Sequence, residues 1–299
     1  MNILLKRLFF LLICVASFST LEAKTKYKHP LAVCAIFRNE ARFLKEWIEF
    51  HKLMGATRFY LYNNLSDDNY YEVLQPYIET GEVELFLWPY KFTTIESWTT
   101  IQVGAYNNAV GRAIKAKVKW LAVLDTDEFL FPVHAENLVT FLKDFSSVGG
   151  VVANWQLFGT SHVERIPSDQ LMIELLTLKA ETKYAENAFV KSIVRPERVK
   201  QFTDPHYAEY LNPYQAVSQN KNSVHSSMNN SIPVDKLRIN HYWSRDLSFF
   251  TEIKMPRRQA WLEGADGQWQ RLANINQVQD YTIKRFIPAL KEKMSLQQR

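Results

Sequence analysis

Two aspartates one residue apart, Asp125 and Asp127, with Glu128 directly after them, stand between the apolar run Leu121-Ala122-Val123-Leu124 and Phe129-Leu130-Phe131-Pro132. Carboxylates flanked this closely by core-forming residues sit at the lip of a buried strand, where crowding like charges is costly without a counter-cation. A divalent ion removes that cost. In an extended strand end, residues i and i+2 project to one side, so Asp125 and Asp127 can face one ligand while Thr126 and Glu128 face away. That pattern suits an oxygen-ligated Mg²⁺ or Mn²⁺ that also takes up diphosphate oxygens. The plainer alternative for an Asp-x-Asp is an acidic loop capping the next helix; the buried strand ahead of it and the third acid favour the metal site.

Other metal chemistries are excluded by composition. The chain has two cysteines, Cys14 near the N-terminus and Cys34 in an apolar run, so a Cys-rich zinc site is ruled out and a metal must be held by oxygen and imidazole. Lys and Arg number 36 against 31 acidic residues, a formal charge of +5. The basic residues are scattered, which reads as a solvated surface and not as a nucleic-acid footprint. No internal repeat or low-complexity tract is present.

The elements that must position the acidic cluster follow from periodicity. Residues 1–23 form their own unit, with Lys6 and Arg7 ahead of an apolar run over 8–18 and the approach Leu21-Glu22-Ala23. This is the plan of a secretory signal peptide, cleaved or retained as an N-terminal membrane anchor, and it places the protein outside the cytoplasm. Strands are expected over 31–36, 58–62, 83–87 and 120–124, and helices over 41–54, 70–79 and 100–116. Near-continuous apolar strands alternating with helices argue for an α/β fold with a mostly parallel sheet covered on both faces. In such sheets ligands bind beyond the carboxyl ends of the strands, so Arg38-Asn39-Glu40, the stretch from Asn63 to Asp67, and Asp125 to Glu128 should converge. Beyond residue 132, strands are expected over 149–158 and 190–196, a helix within 163–178, a long irregular loop over 204–235 and a last strand over 237–242. Helical segments and a polar tail from Lys291 follow. These patterns divide the chain into a regular part (24–132), a less regular part (133–254) completing the same domain, and a C-terminal helical tail (255–299).

The run Ala32-Val33-Cys34-Ala35-Ile36-Phe37-Arg38-Asn39-Glu40, followed by Leu44-Lys45-Glu46-Trp47-Ile48-Glu49-Phe50-His51, resembles the opening of glycosyltransferase family 92. So do Phe59-Tyr60-Leu61-Tyr62-Asn63-Asn64, Gln102 with Ala105-Tyr106-Asn107, and Leu124-Asp125-Thr126-Asp127-Glu128-Phe129. The resemblance resumes at Trp155 with Phe158-Gly159, at Lys191-Ser192-Ile193-Val194-Arg195-Pro196 and at His241-Tyr242. It implies a glycosyltransferase A fold with a Rossmann-like, mostly parallel sheet, a donor-binding half over 24–132 and an acceptor-binding half over 133–254, and a DXD-type metal site of Asp125 and Asp127 completed by His241, with Mn²⁺ favoured by the imidazole or Mg²⁺ in its place. By the same resemblance Arg38, Asn39, Glu40, Asn63, Asn64, Asp67 and Gln102 border the nucleotide-sugar donor, and Lys191 offers a cation to its diphosphate. Trp155 and Gln156 are candidates for the acceptor glycan, since aromatic faces stack on sugar rings. Each has a structural alternative: His241 and Trp155 as packed core, Lys191 as half of an ion pair.

The resemblance further implies inversion at the anomeric carbon, with a uridine diphosphate donor, galactose being the first expectation. The proton of the attacking hydroxyl then passes to an Asp or Glu, for which Glu164, Glu186 and Asp246 are unranked candidates. Two rival functions remain: a metal-dependent phosphodiesterase, which calls for further paired His and Asp ligands, and a non-catalytic glycan-binding module of the same fold.

Overall fold

The computed structural model describes residues 26–259 and 265–296; the signal or anchor segment expected over 1–23 lies outside them. Among the described residues no helix is long and apolar enough to cross a membrane.

The first half alternates strand and helix as the apolar pattern requires. Strand β1 (His29–Phe37) leads to helix α1 (Ala41–Leu53), β2 (Arg58–Asn63) to α2 (Tyr70–Glu79), β3 (Val83–Leu87) to α3 (Ile95–Lys115), and β4 (Val118–Val123) follows. The strands lie in the order β3-β2-β1-β4, all parallel, with Cys34 in register with Tyr60 on one side and Val123 on the other. Successive residues of β1 feed two separate cores. Leu31, Val33, Ala35 and Phe37 pack with α1 and α2, whereas Ala32, Cys34 and Ile36 pack under Tyr106, Ala109 and Ala113 of α3. A strand buried on both faces needs no polar alternation, which is why it reads as a continuous apolar run. The chain winds away from β1 in both directions, so the crevice beyond Phe37 and Val123 is a topological switch point.

The second half reverses direction. After β5 (Glu128–Pro132), the short α4 (Leu138–Phe141), β6 (Gly150–Leu157), the single turn α5 (Met172–Leu175) and β7 (Leu178–Lys179), strand β8 (Val190–Val194) inserts antiparallel between β4 and β6. Next come β9 (Val199–Phe202), β10 (Ala208–Tyr210), β11 (Ala216–Val217), β12 (Ser223–Val224) and β13 (Leu237–His241), the last lying between β5 and β6. Helices α6 (Leu247–Phe249), α7 (Met255–Gln259) and α8 (Ala265–Asn274), strand β14 (Val278–Gln279) and helix α9 (Ile287–Leu296) end the described chain, with a π-helical turn, Phe250–Lys254, between α6 and α7.

Several expectations need correction. The helix α3 starts at Ile95 instead of 100, because Thr94 caps it: its side chain accepts from Ser97 N–H and the Ser97 hydroxyl bonds back. The helix expected within 163–178 is one turn. The loop expected over 204–235 carries β10, which pairs with β9 just ahead of it, and the edge pair β11–β12. β13 is not the last strand, since β14 pairs with β7. Residues 291–296 of the expected polar tail belong to α9, and the rest of that tail lies outside the described residues. Across residue 132, β5 pairs with β13, joining the two halves in one sheet.

Candidate active site

The three loops beyond β1, β2 and β4 converge, and the contacts that bring them together are side chain to backbone. Asn39, in the left-handed region at φ +56°, gives its N–H to the Ser66 hydroxyl at 2.9 Å, and its Oδ1 accepts from Asp67 N–H at 2.9 Å. The Asp68 carboxylate caps the first amide of α1, Ala41 N–H, at 2.8 Å. The third loop is drawn in by Arg245, a buried side chain that ion-pairs with Glu40 and donates to the Thr126 carbonyl at 3.0 Å. Arg245 carries φ +59° and lies against the Phe43 ring at 4.5 Å.

These loops floor a cavity of about 470 Å³. Of the residues expected at the site, Arg38, Glu40, Asn64, Gln102, Asp125, Asp127, Trp155, Lys191 and His241 line it. Four do not. Asn39 and the backbone N–H of Asp67 tie two loops together, and Asn39 borders only a neighbouring hollow with Phe92, Thr93 and Arg257. Asn63 accepts the Ser66 N–H and is buried beneath the loop. Gln156 alternates with Trp155 along β6, so it is turned away from the cavity and bonds the Trp155 carbonyl. Asn64 remains in the lining, with its Nδ2 held by the Trp88 and Tyr90 carbonyls.

The acidic cluster itself is a turn, closed by Glu128 N–H to the Asp125 carbonyl at 3.1 Å, and not an extended strand end. Asp125 and Asp127 still both reach the cavity, but Glu128 folds back to accept the Asp125 N–H at 2.9 Å. Burial, opposed by the Lys191 charge but reinforced by those of Asp125 and Asp127, pushes the Glu128 carboxyl well above its ordinary range. Asp127 is buried too, yet the Lys254 ammonium at 3.0 Å and His241 outweigh that burial and keep its carboxyl well below the usual range. Asp125 is held differently: Lys191 Nζ lies 3.0 Å from Oδ2 and Gln102 Nε2 lies 2.9 Å from Oδ1. The buried ammonium of Lys191 stays charged because Asp125 compensates its desolvation.

The donor set is suited to a hard divalent ion. His241 Nε2 stands 3.3 Å from Asp127 Oδ1, and burial lowers the imidazole's proton affinity, leaving the neutral form that can act as a ligand. Among the described residues no three His, Cys, Asp or Glu side chains sit close enough to cage an ion unaided. An ion at Asp127 and His241 would therefore draw its other ligands from diphosphate oxygens and water, the usual arrangement for Mg²⁺ and Mn²⁺ at phosphates.

The wall above this pair is aromatic. The Trp155 ring lies 4.4 Å from the His241 ring and 5.0 Å from the His206 ring, and Phe189 packs behind at 5.4 Å. His206 donates from Nδ1 to the Val190 carbonyl at 3.0 Å, and burial followed by the Lys191 charge lowers its pKa to about 4. The lining also includes the basic side chains Lys254, Arg257, Arg258 and Arg271.

Comparison with known proteins is consistent with this geometry. Residues 29–260 match glycosyltransferase family 92. The chain belongs to that family. A family 92 protein of Arabidopsis thaliana is 28% identical over 233 residues, covering 74% of this chain and 36% of its own length. A rice (Oryza sativa subsp. japonica) family 92 protein is 31% identical over 173 residues, 56% of this chain and 27% of its own. The chain thus spans about a third of the length of these family 92 relatives. Among solved structures, S. aureus TarS 1-349 in complex with UDP-GlcNAc aligns with a TM-score of 0.36 at 11% identity, over 86% of this chain and 72% of that one. HddC from Yersinia pseudotuberculosis aligns at 0.32 and 10%, over 62% and 89%.

Sequence reasoning missed Arg245, Lys254, Asp204 and His206. Arg245 had a signal, since it follows β13 in the same Tyr242-Trp243-Ser244-Arg245 stretch as the family's His241-Tyr242. Lys254 and the pair Asp204 and His206 lie in segments without periodicity and carry none. The three carboxylates nominated for proton transfer all lie off the cavity. Asp246 caps α6 and holds Arg42, Glu186 ion-pairs with Arg271, and Glu164 is exposed.

Proposed function

We propose that the protein transfers a sugar from a nucleoside diphosphate donor to a glycan hydroxyl, with inversion at the anomeric carbon. The observation that carries this reading is the placement of Asp125, Asp127, His241 and Lys191 in one cavity at the switch point of the sheet. The nucleoside belongs over Arg38, Asn64 and the aromatic side formed by Phe92 and Trp98, and the diphosphate between Asp127 and Lys191. Asp127 and His241 would hold Mn²⁺ or Mg²⁺, which when bound neutralises charge on the departing diphosphate. Lys191, whose position is fixed by Asp125, offers a second cation to the same leaving group, and Trp155 presents an indole face to a sugar ring. A uridine diphosphate donor carrying galactose is the first pairing to test. Action outside the cytoplasm follows from the signal-like pattern of residues 1–23 and is part of the proposal.

The test is ligand-dependent stabilisation. In a thermal-shift panel of nucleoside diphosphates and their sugars, one sugar nucleotide should raise the melting temperature by about 5–10 °C at a hundredfold excess over its Kd, and only with Mn²⁺ present. Asp127→Asn should abolish that rise with an unchanged circular dichroism spectrum. A folded protein that responds to no member of the panel, with or without metal, overturns the reading in favour of a glycan-binding module.

A further inference from the structure

The reaction just proposed lacks a proton acceptor, and the cavity offers four carboxylates for that role. Three are committed. Glu40 is paired with Arg245, Asp125 with Lys191 at 3.0 Å, and Asp127 with Lys254 at 3.0 Å. The fourth is Asp204, half-buried in the lining; its Oδ1 accepts the backbone N–H of His206 at 2.7 Å, a bond that fixes its direction without neutralising its charge.

The turn that carries Asp204 is anchored on β8, the strand that supplies Lys191. His206 Nδ1 donates to the Val190 carbonyl at 3.0 Å, the Ser192 hydroxyl donates to the His206 carbonyl at 3.0 Å, and Asn107 of α3 bonds both the carbonyl and the N–H of Phe202. Pro205 adds a fixed φ between Asp204 and His206. The Trp155 ring packs edge-on against both His241 and His206, at 4.4 and 5.0 Å between centroids. Asp204 therefore holds a fixed position in the lining of the same cavity as the Asp127 and His241 pair.

We infer that Asp204 is the catalytic base of the transfer, taking the proton of the attacking hydroxyl on the side of the sugar opposite the diphosphate. The inference rests on the transferase reading above. In the step, the hydroxyl oxygen forms the new bond to the anomeric carbon while its proton passes to Asp204. The carbon–oxygen bond to the diphosphate breaks, the electron pair leaves with the diphosphate, and the proton later passes to solvent. His206 is a positioning residue, setting Asp204 through its backbone N–H and holding the turn on β8.

The experiment follows uridine diphosphate release, with Mn²⁺, from uridine diphosphate galactose or from whichever sugar nucleotide of the panel the wild type binds, with water and then azide as the acceptor. Water must lose a proton to attack; azide has none to lose. Asp204→Asn should bind the donor as the wild type does, lose about 10²–10⁴-fold in turnover with water, and recover to near wild-type turnover with azide, giving a glycosyl azide of inverted configuration. Asp204→Glu should retain partial turnover with water. Turnover of Asp204→Asn with water within threefold of the wild type, or loss of the azide reaction in parallel with the water reaction, overturns the assignment. A wild type that binds no sugar nucleotide overturns the transferase reading itself and takes the assignment with it, and the binding measurement tells the two failures apart.

Discussion

At the scale of single residues the site depends on buried ion pairs whose partners are far apart in sequence. Arg245 is the clearest case, because one guanidinium joins Glu40 after β1 to the Thr126 carbonyl after β4, with both side chains of the ion pair almost fully buried. Removing one partner of a buried pair leaves an uncompensated charge, which costs about 3–5 kcal/mol. Arg245→Met should therefore destabilise the protein by that amount in urea unfolding and weaken sugar-nucleotide binding, because the two loops lose their tie. The double variant Glu40→Gln with Arg245→Met should lose less than the two single variants together, since no charge is then stranded. Additive losses would mean that the two side chains act separately and that the loops are held by their other bonds.

Among the elements, α1 combines two buried titratable groups that act in opposite directions. The Glu46 carboxylate accepts the N–H groups of Met172 and Ile173 at 2.9 and 3.1 Å, and burial raises its pKa to about 7. His51 donates from Nδ1 to the Trp47 carbonyl at 2.8 Å and accepts the Leu130 N–H at Nε2, and burial lowers its pKa to about 4. The Glu46 value is raised above its unfolded value, so its contribution to stability is complete below about pH 4.5 and is lost as the pH rises through 7. The His51 value is depressed, so its contribution is complete above about pH 6.5 and is lost as the pH falls toward 4. Between these limits the two effects oppose each other, each worth about 3 kcal/mol in full. Relative to the wild type, His51→Gln should gain stability on acidification from pH 6.5 to 4.5, and Glu46→Gln should gain it on going from pH 4.5 to 7. Parallel pH profiles for wild type and variants in urea unfolding would contradict this. The same helix shows what could be read in advance. Its apolar spacing set its limits to within a residue, as it did for β2 and β3, while β1 begins two residues earlier than expected; each of these elements buries a face set by its own local pattern. The helix start at Ile95 was obscured by the run Trp98-Thr99-Thr100, and the hairpin bearing Asp204 by the absence of any period. The pairing of Glu46 with Met172, or of Arg245 with Glu40, depends on tertiary contact, which no local pattern encodes.

For the whole molecule, the question is whether the C-terminal segment is an appendage or part of the core. The family match ends at residue 260, and the sequence alone suggests a helical tail beyond it. In the fold, however, Phe286 packs edge-on against Phe50 of α1 at 5.6 Å and Phe131 of β5 at 5.8 Å, while Ile283 and Leu290 are buried in the same cluster. Arg285 also donates to the Pro132 and Ala135 carbonyls at 2.6 Å, holding the chain just beyond β5. Burying three such side chains contributes roughly 5–9 kcal/mol, against a total stability of about 5–15 kcal/mol for a typical domain. Removing residues 281–299 should therefore consume most of the stability and expose the apolar face of α1 that supports the Glu40 loop. The truncated protein should show no cooperative melt and no response to sugar nucleotides. A cooperative transition within a few degrees of the full chain would instead show that residues 29–260 hold the cavity without help from the C-terminus.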